Sequence, residues 1–243
     1  MNEVKRAVLT NFEASAAAYE AYASTSDRFD ELARRLSEVL AATSERDARE
    51  SRCLDAGAGT GTSTRLLADR WADTVALDAS RRMLETAPSP KVVGDFDRLP
   101  FRDATFDAVA YTASLFLTPA PAVALAEARR VLCPGGVVGA VAPAGWLVDG
   151  DDAFAALSRQ PRSPATAARV VEAFETTFGT VDRGEWSLAS SPADLRAFHA
   201  VPAMAARLYP ELSPDERVEA AEELLADVDG EVEQQWVWVV AEA

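Results

Sequence analysis

Cys53-Leu54-Asp55-Ala56-Gly57-Ala58-Gly59-Thr60-Gly61 is a short apolar run that ends on an acid and passes directly into a glycine-rich turn. A helical pattern begins near Thr62. Gly57, Gly59 and Gly61 let the backbone approach a ligand closely and adopt dihedrals that a Cβ forbids. A turn of this kind at the carboxyl end of a strand is where open α/β sheets bind nucleotides. The spacing discriminates further. A dinucleotide fingerprint needs its third glycine at the position of Thr62, and Thr62 cannot serve there. The glycines fall instead at alternate positions, which argues against a nicotinamide enzyme.

Outward from this stretch, strand and helix patterns alternate from 52 to 143. The apolar runs Arg52–Ala56, Thr74–Leu77, Lys91–Gly94, Phe106–Tyr111 and Val137–Ala142 are short and bounded by Gly, Asp or Pro. Alternation of this kind implies crossover connections and a parallel sheet. A helix is expected over Arg81–Thr86 behind an N-cap at Ser80. Another is expected from Pro121 to Leu132, ended by Pro134-Gly135-Gly136. Residues 1–45 read as two helices, the second capped from Thr25-Ser26-Asp27, with Phe29, Leu32, Ala33, Leu36, Val39 and Leu40 on one face. Beyond 143 a helix is expected over Ala165–Phe178 and a strand over Thr180–Ala189. Ser191-Pro192-Ala193-Asp194 and Ser213-Pro214-Asp215-Glu216 start two helices within 191–229. Glu231–Ala241 reads as a closing strand buried on both faces.

Two further acids share the rim with Asp55. Asp78 ends Val75-Ala76-Leu77-Asp78, about twenty residues past the glycines, where a carboxylate can accept both hydroxyls of an adenosine ribose. Asp95, in Val93-Gly94-Asp95-Phe96, ends a third strand. Each alone could be a turn aspartate; three at adjacent strand ends exceed what turn chemistry requires.

Leu54–Gly61, Leu77–Leu84, Gly94–Phe101 with Phe106–Val109, and Arg130-Val131-Leu132-Cys133-Pro134-Gly135-Gly136 together resemble the successive motifs of class I S-adenosylmethionine (SAM) dependent methyltransferases. The resemblance covers roughly residues 50–143, in order and spacing. It implies a doubly wound, mostly parallel seven-stranded α/β sheet with helices on both faces and the last strand, 231–241, antiparallel. It implies that the backbone at Gly57, Ala58 and Gly59 lies beside the methionine part of SAM, supported by Asp55. Asp78 then holds the ribose, Ala79 and Met83 line the adenine, Asp95 with the Phe96 backbone reads its amino edge, and Tyr111 borders the methionine moiety. Phe12 and Tyr19, seven apart, resemble a pattern in some members whose tyrosine nears the SAM carboxylate. On this reading 1–45 is a helical cover and 46–243 a SAM-binding domain with a helical insertion at 191–229.

Composition narrows the partner. The chain has 243 residues, 49% of them hydrophobic, and a net charge of −15. From Asp149 onward there are 19 acids against 7 arginines, so −12 of the −15 lies there. Such a surface repels polyphosphate and argues against nucleic acid. With only Lys5 and Lys91 as lysines, it also reads as a halophilic-type acidic surface suited to molar salt, where the Debye length is about 3 Å. Cys53 and Cys133 with the single His199 give no metal pattern. The longest apolar stretch is too short and interrupted to span a membrane, and the start is not a signal peptide, so a cytoplasmic protein is expected. The resulting expectation is methyl transfer to a small-molecule acceptor. The alternatives are an RNA or protein methyltransferase, or a non-catalytic SAM-binding protein. His199 and Tyr19 are the candidate catalytic residues.

Overall fold

A computed structural model describes residues 2–155, 157 and 164–243. The chain runs α1 (Glu3–Ala23), α2 (Arg28–Thr43), β1 (Arg52–Ala56), α3 (Thr62–Ala68), β2 (Asp73–Asp78), β3 (Lys91–Val93), β4 (Phe106–Thr112) and α4 (Pro121–Val131). It continues with β5 (Leu132–Val148), β6 (Asp151–Asp152), α5 (Ala167–Phe178), β7 (Asp182–Ser190), α6 (Pro192–His199), α7 (Pro202–Ala205), α8 (Pro214–Leu225) and β8 (Val232–Glu242).

These strands form one sheet in the order β3-β2-β1-β4-β5-β8-β7, with β6 hanging from β5. Pairing is parallel from β3 through β5, and β8 is antiparallel to both β5 and β7. The expected seven strands and antiparallel closing strand are thus present. The eighth strand, β6, is a two-residue hairpin partner of β5 made by the turn at Asp149-Gly150, a dipeptide well suited to a two-residue hairpin loop.

Both faces of the sheet are covered. On one, Leu125 and Val131 of α4 and Val170 and Phe174 of α5 pack with Leu54, Val109 and Val138 of the strands. On the other, Leu32, Leu36 and Leu40 of α2 join Ala108, Val137 and Trp236, together with Leu195 and Phe198 of α6. Helix α2 lies so close to β5 that a Cβ on Gly139 would sit 2.9 Å from Leu36 Cδ1. A polar staple adds to this packing. The buried Arg28 guanidinium pairs with Asp194 of α6, donates to Gln234 of β8 and to Ser190 Oγ at 3.0 Å, and lies 4.5 Å over the Trp146 ring. An ion pair this deep needs every partner to offset desolvation, so Arg28 fixes α2, α6 and β8 relative to one another.

Local expectations fail where the chain has too little room. Arg81–Thr86 forms only a 3₁₀ turn at Met83–Glu85, although Ser80 Oγ does accept from Met83 N at 3.1 Å. Pro88 and Pro90 follow at once, and so short a segment cannot recover the cost of nucleating an α-helix. Residues 191–229 hold three helices rather than two, because Pro202 opens the extra turn α7. Pro134-Gly135-Gly136 does not separate helix from strand: β5 starts at Leu132, already paired with Phe106, and the irregularity is absorbed as a register shift.

Candidate functional site

A cavity of about 980 Å³ opens at the carboxyl ends of β1, β2 and β4, bordered by α1 from Glu3 to Phe12. Its floor at one end is the glycine turn. Gly57 has φ +86°, and a Cβ there would meet Ser114 Cβ at 2.4 Å, so the tight approach of the β1 turn to the end of β4 requires glycine. The turn is held down by Gly57 N and Ala58 N, which both donate to Leu77 O, at 2.7 and 3.0 Å.

Asp78 ties the turn to the neighbouring strand. Its carboxylate accepts from Gly59 N at 2.9 Å and from Ser80 N at 2.8 Å, leaving lone pairs on both oxygens directed by fixed backbone donors. Burial raises its pKa, against the lowering effect of those backbone bonds. Asp78, Ala79, Ser80 and Met83 line the cavity, as do Asp95 and Phe96. Asp95 pairs with Lys5 of α1, whose ammonium also reaches Asp97 at 2.9 Å and is almost wholly buried. Glu13, two turns along α1, accepts from Ser80 Oγ at 3.3 Å. The first helix therefore grips the rim at two points. Tyr19 also lines the cavity, stacked on Phe29 at 5.5 Å. Burial and the neighbouring Asp78 carboxylate push its phenol well above the usual range, so it stays protonated.

Of the residues expected at the site, Gly57, Gly59, Asp78, Ala79, Met83, Asp95, Phe96 and Tyr19 meet at this one cavity. Four do not, and each for a local reason. Asp55 is fully buried beneath the turn, with Oδ2 accepting from Ser63 Oγ at 2.7 Å and Thr64 Oγ1 at 2.6 Å. Ala58 turns into a small cluster with Ala76, Leu84 and Ala87. Tyr111 faces the α4 side, its hydroxyl donating to Ala124 O at 3.3 Å. Side chains alternate along a strand, and the cavity wall is made by Thr112, Ala113 and Ser114 instead. His199 is buried against Phe154 and Trp146 with Nδ1 2.9 Å from Leu195 O, outside the cavity wall. This corrects the expectation that it could act as a general base.

Sequence reasoning missed Lys5, Thr112, Ser114, Arg217 and Trp236, all of which line the cavity. Only Lys5 carried a signal, as one of two lysines in the chain; the others reach the cavity through long-range packing.

The residues present fit an adenosine-bearing cation. Asp55 Oδ1 is buried with no hydrogen-bond partner, and burial lifts the carboxyl to about 6. A carboxyl in that position is stabilised as a carboxylate by a positively charged group arriving over the turn. The Asp78 carboxylate at the rim suits a ribose diol. Among the described residues no group of three or more His, Cys, Asp or Glu could hold a metal ion. No helix among them is long and apolar enough to cross a membrane.

Comparison with known proteins agrees with this geometry. Residues 54–139 match the family model described as a methyltransferase domain. The demethylmenaquinone methyltransferase of Renibacterium salmoninarum is 44% identical over 90 residues, 35% of this chain and 38% of that protein. The malonyl-[acyl-carrier protein] O-methyltransferase of Dechloromonas aromatica is 37% identical over 139 residues, 55% of this chain and 49% of that one. The chain thus spans half or less of the length of these curated relatives. A Haemonchus contortus phosphoethanolamine N-methyltransferase, in complex with phosphomonomethylethanolamine and S-adenosylhomocysteine, shares the fold over 85% of this chain and 52% of its own. The TM-score is 0.53 at 17% identity. Glycine turn, rim acids, sheet order and matched segment converge on residues 54–139, the part of the chain that matches a methyltransferase domain.

Proposed function

We propose that this protein is an enzyme that transfers the methyl group of SAM to a small-molecule acceptor. The observation that carries the reading is the continuity of one cavity from the Gly57–Asp78–Asp95 rim to a chamber walled by α1, α7 and β8, so that cofactor and acceptor share a single space. Bound SAM supplies an electrophilic methyl on a sulfonium, which leaves as a neutral thioether and needs no acid. The protein's part is placement. The glycine turn fixes the methionine end, Asp78 fixes the ribose, Asp95 and Phe96 bound the adenine end, and α1 closes over them. Holding nucleophile, methyl and sulfur in line supplies most of the acceleration such a displacement needs. A base is needed only if the acceptor must lose a proton.

The 1–45 segment acts in this reading as cover for a SAM-binding domain at 46–243, and Tyr19 as a wall of the cofactor end. The acidic surface favours a small metabolite over nucleic acid. We place its work in the cytoplasm, with charge suited to high salt. The two curated relatives act, by their names, on different acceptors, so neither substrate transfers to this chain. Incubating the protein with SAM labelled in its methyl group and a metabolite extract of its own cells tests the reading. Label should appear in an extract compound one methyl heavier. Label remaining wholly in SAM, with no SAM binding by calorimetry, would overturn it.

A further inference from the structure

Two buried polar atoms of the chamber are without partners: Trp236 Nε1 and Thr112 Oγ1. Trp236 is 1% exposed and Thr112 8%, and both residues line the cavity. They stand on the same face of the sheet. Thr112 is paired with Val141, Val141 with Trp238, and Trp236 follows two residues away on β8, a register that places all four side chains on one side. The two residues lie two strands apart, about 10 Å in the hydrogen-bonding direction. An indole N–H only donates, and leaving such a donor dry and unpaired costs on the order of 1–3 kcal/mol. Trp71 Nε1 is unpaired as well, but among the described residues with such an atom Trp236 and Thr112 are the ones that border this cavity, where a ligand can supply the acceptor.

Charge points the same way. The residues from Asp149 onward carry 19 acids and 7 arginines, yet those that line the cavity from 198 to 217 include Arg207 and Arg217 and no acid. Arg217 is held in place by Tyr209 O at 3.0 Å, Pro210 O at 2.7 Å and Asn11 Oδ1 at 3.0 Å. Arg207 lies 4.9 Å over the Phe116 ring. The remainder of this wall is apolar, with Phe198 and Met204, and Phe12 of α1 and Phe29 of α2 add aromatic surface to the cavity.

Resting on the methyltransferase reading, we infer that the chamber is an acceptor site for a flat apolar acid: an aromatic body bedded on Phe29 and Phe198, with its anionic group directed to the Trp236 Nε1 donor on the Thr112 side of the chamber, under the arginine wall. A neutral amide of the same shape offers the indole only an uncharged acceptor, without the charge-assisted bond or the attraction of the arginines, and a cation meets the arginines unfavourably, so the site selects by charge as well as shape.

The probes are 2-naphthoate, 2-naphthamide and 2-naphthylmethylamine, titrated into the full chain saturated with S-adenosylhomocysteine. Naphthoate is expected to bind at least tenfold more tightly than the amide, and the amine not at all. Trp236→Phe, which keeps the ring packing and removes the donor, is expected to weaken naphthoate five- to tenfold with S-adenosylhomocysteine affinity within twofold. The wild-type series stands on its own if that variant misfolds. Equal binding of naphthoate and amide, preference for the amine, or no binding of any probe to the saturated protein would overturn the acid-binding site alone. Failure of S-adenosylhomocysteine itself to bind would overturn the parent reading and this inference with it.

Discussion

The two ends of the cavity are built in different ways. The cofactor end is made of backbone: the turn at 57–61, the strand ends at Asp78 and Asp95, and peptide N–H groups that aim at Asp78. The other end, where we place the acceptor, is made of side chains that α1, α2, α6, α7 and β8 bring together from remote parts of the sequence. A backbone cradle depends on glycine conformation and strand register, which tolerate little change. A side-chain chamber depends on packing, which can be rebuilt residue by residue while the fold persists. One sheet can therefore keep a fixed cofactor and present different acceptor sites.

The largest effect should come from crowding the cradle. Gly57→Ala sets a Cβ 2.4 Å from Ser114 Cβ at a φ of +86°. Left-handed strain of about 1–2 kcal/mol adds to that clash, and SAM affinity should fall by roughly a hundredfold, about 2.8 kcal/mol. Calorimetric titration checks it. Affinity within a few-fold of wild type would show that the turn is not in contact with the ligand.

Asp78→Ala is next. Charge-assisted hydrogen bonds contribute roughly 1.5–3 kcal/mol each, so about one to two decades of SAM affinity should be lost while the thermal transition remains cooperative. Unchanged affinity would reduce Asp78 to a turn residue.

A smaller, pH-dependent effect separates the ends further. The Asp55 carboxyl takes up its proton at about 6, mainly because it is buried. An ammonium and a sulfonium favour its ionised form, and the α-amino group stays protonated below about 7.7. SAM affinity should therefore fall as pH drops from 7 to 5, by up to about tenfold. In Asp55→Asn the profile should flatten. Binding of 2-naphthoate at the acceptor end should show no such dependence through Asp55. A flat SAM profile in wild type would show that the charge of Asp55, buried beneath the turn, does not act on the bound cation.

The contrast also explains what the sequence disclosed. The glycine turn, Asp78, Asp95 and the alternation of strands and helices are local or near-local patterns, and they were legible because each is a short run whose geometry is set by its own residues. Tyr111 was misplaced by one position because a strand's facing is decided by register, and Thr112 rather than Tyr111 faces the cavity. His199 looked available because it is the single histidine, whereas Trp146 and Phe154, distant in sequence, bury it. Trp236 and Arg217 were silent for the same reason. The 3₁₀ turn at Met83–Glu85 shows a capping signal overruled by chain length.

The smallest expected effect concerns charge. The acids concentrated after Asp149 repel one another, and counterions screen that repulsion. Molar potassium chloride should raise the melting temperature by about 2–4 °C for each kcal/mol of repulsion removed. SAM affinity should change little, since its contacts are short-range and sheltered. Equal melting temperatures in dilute buffer and molar salt would contradict the salt-suited surface.

The most direct test of the account is a pair of calorimetric titrations on the full chain, one with SAM and one with NAD. The turn at Gly57–Gly61 and the carboxylate of Asp78 predict one SAM bound per chain and no heat of binding with NAD. Saturable binding of NAD with none of SAM would contradict it.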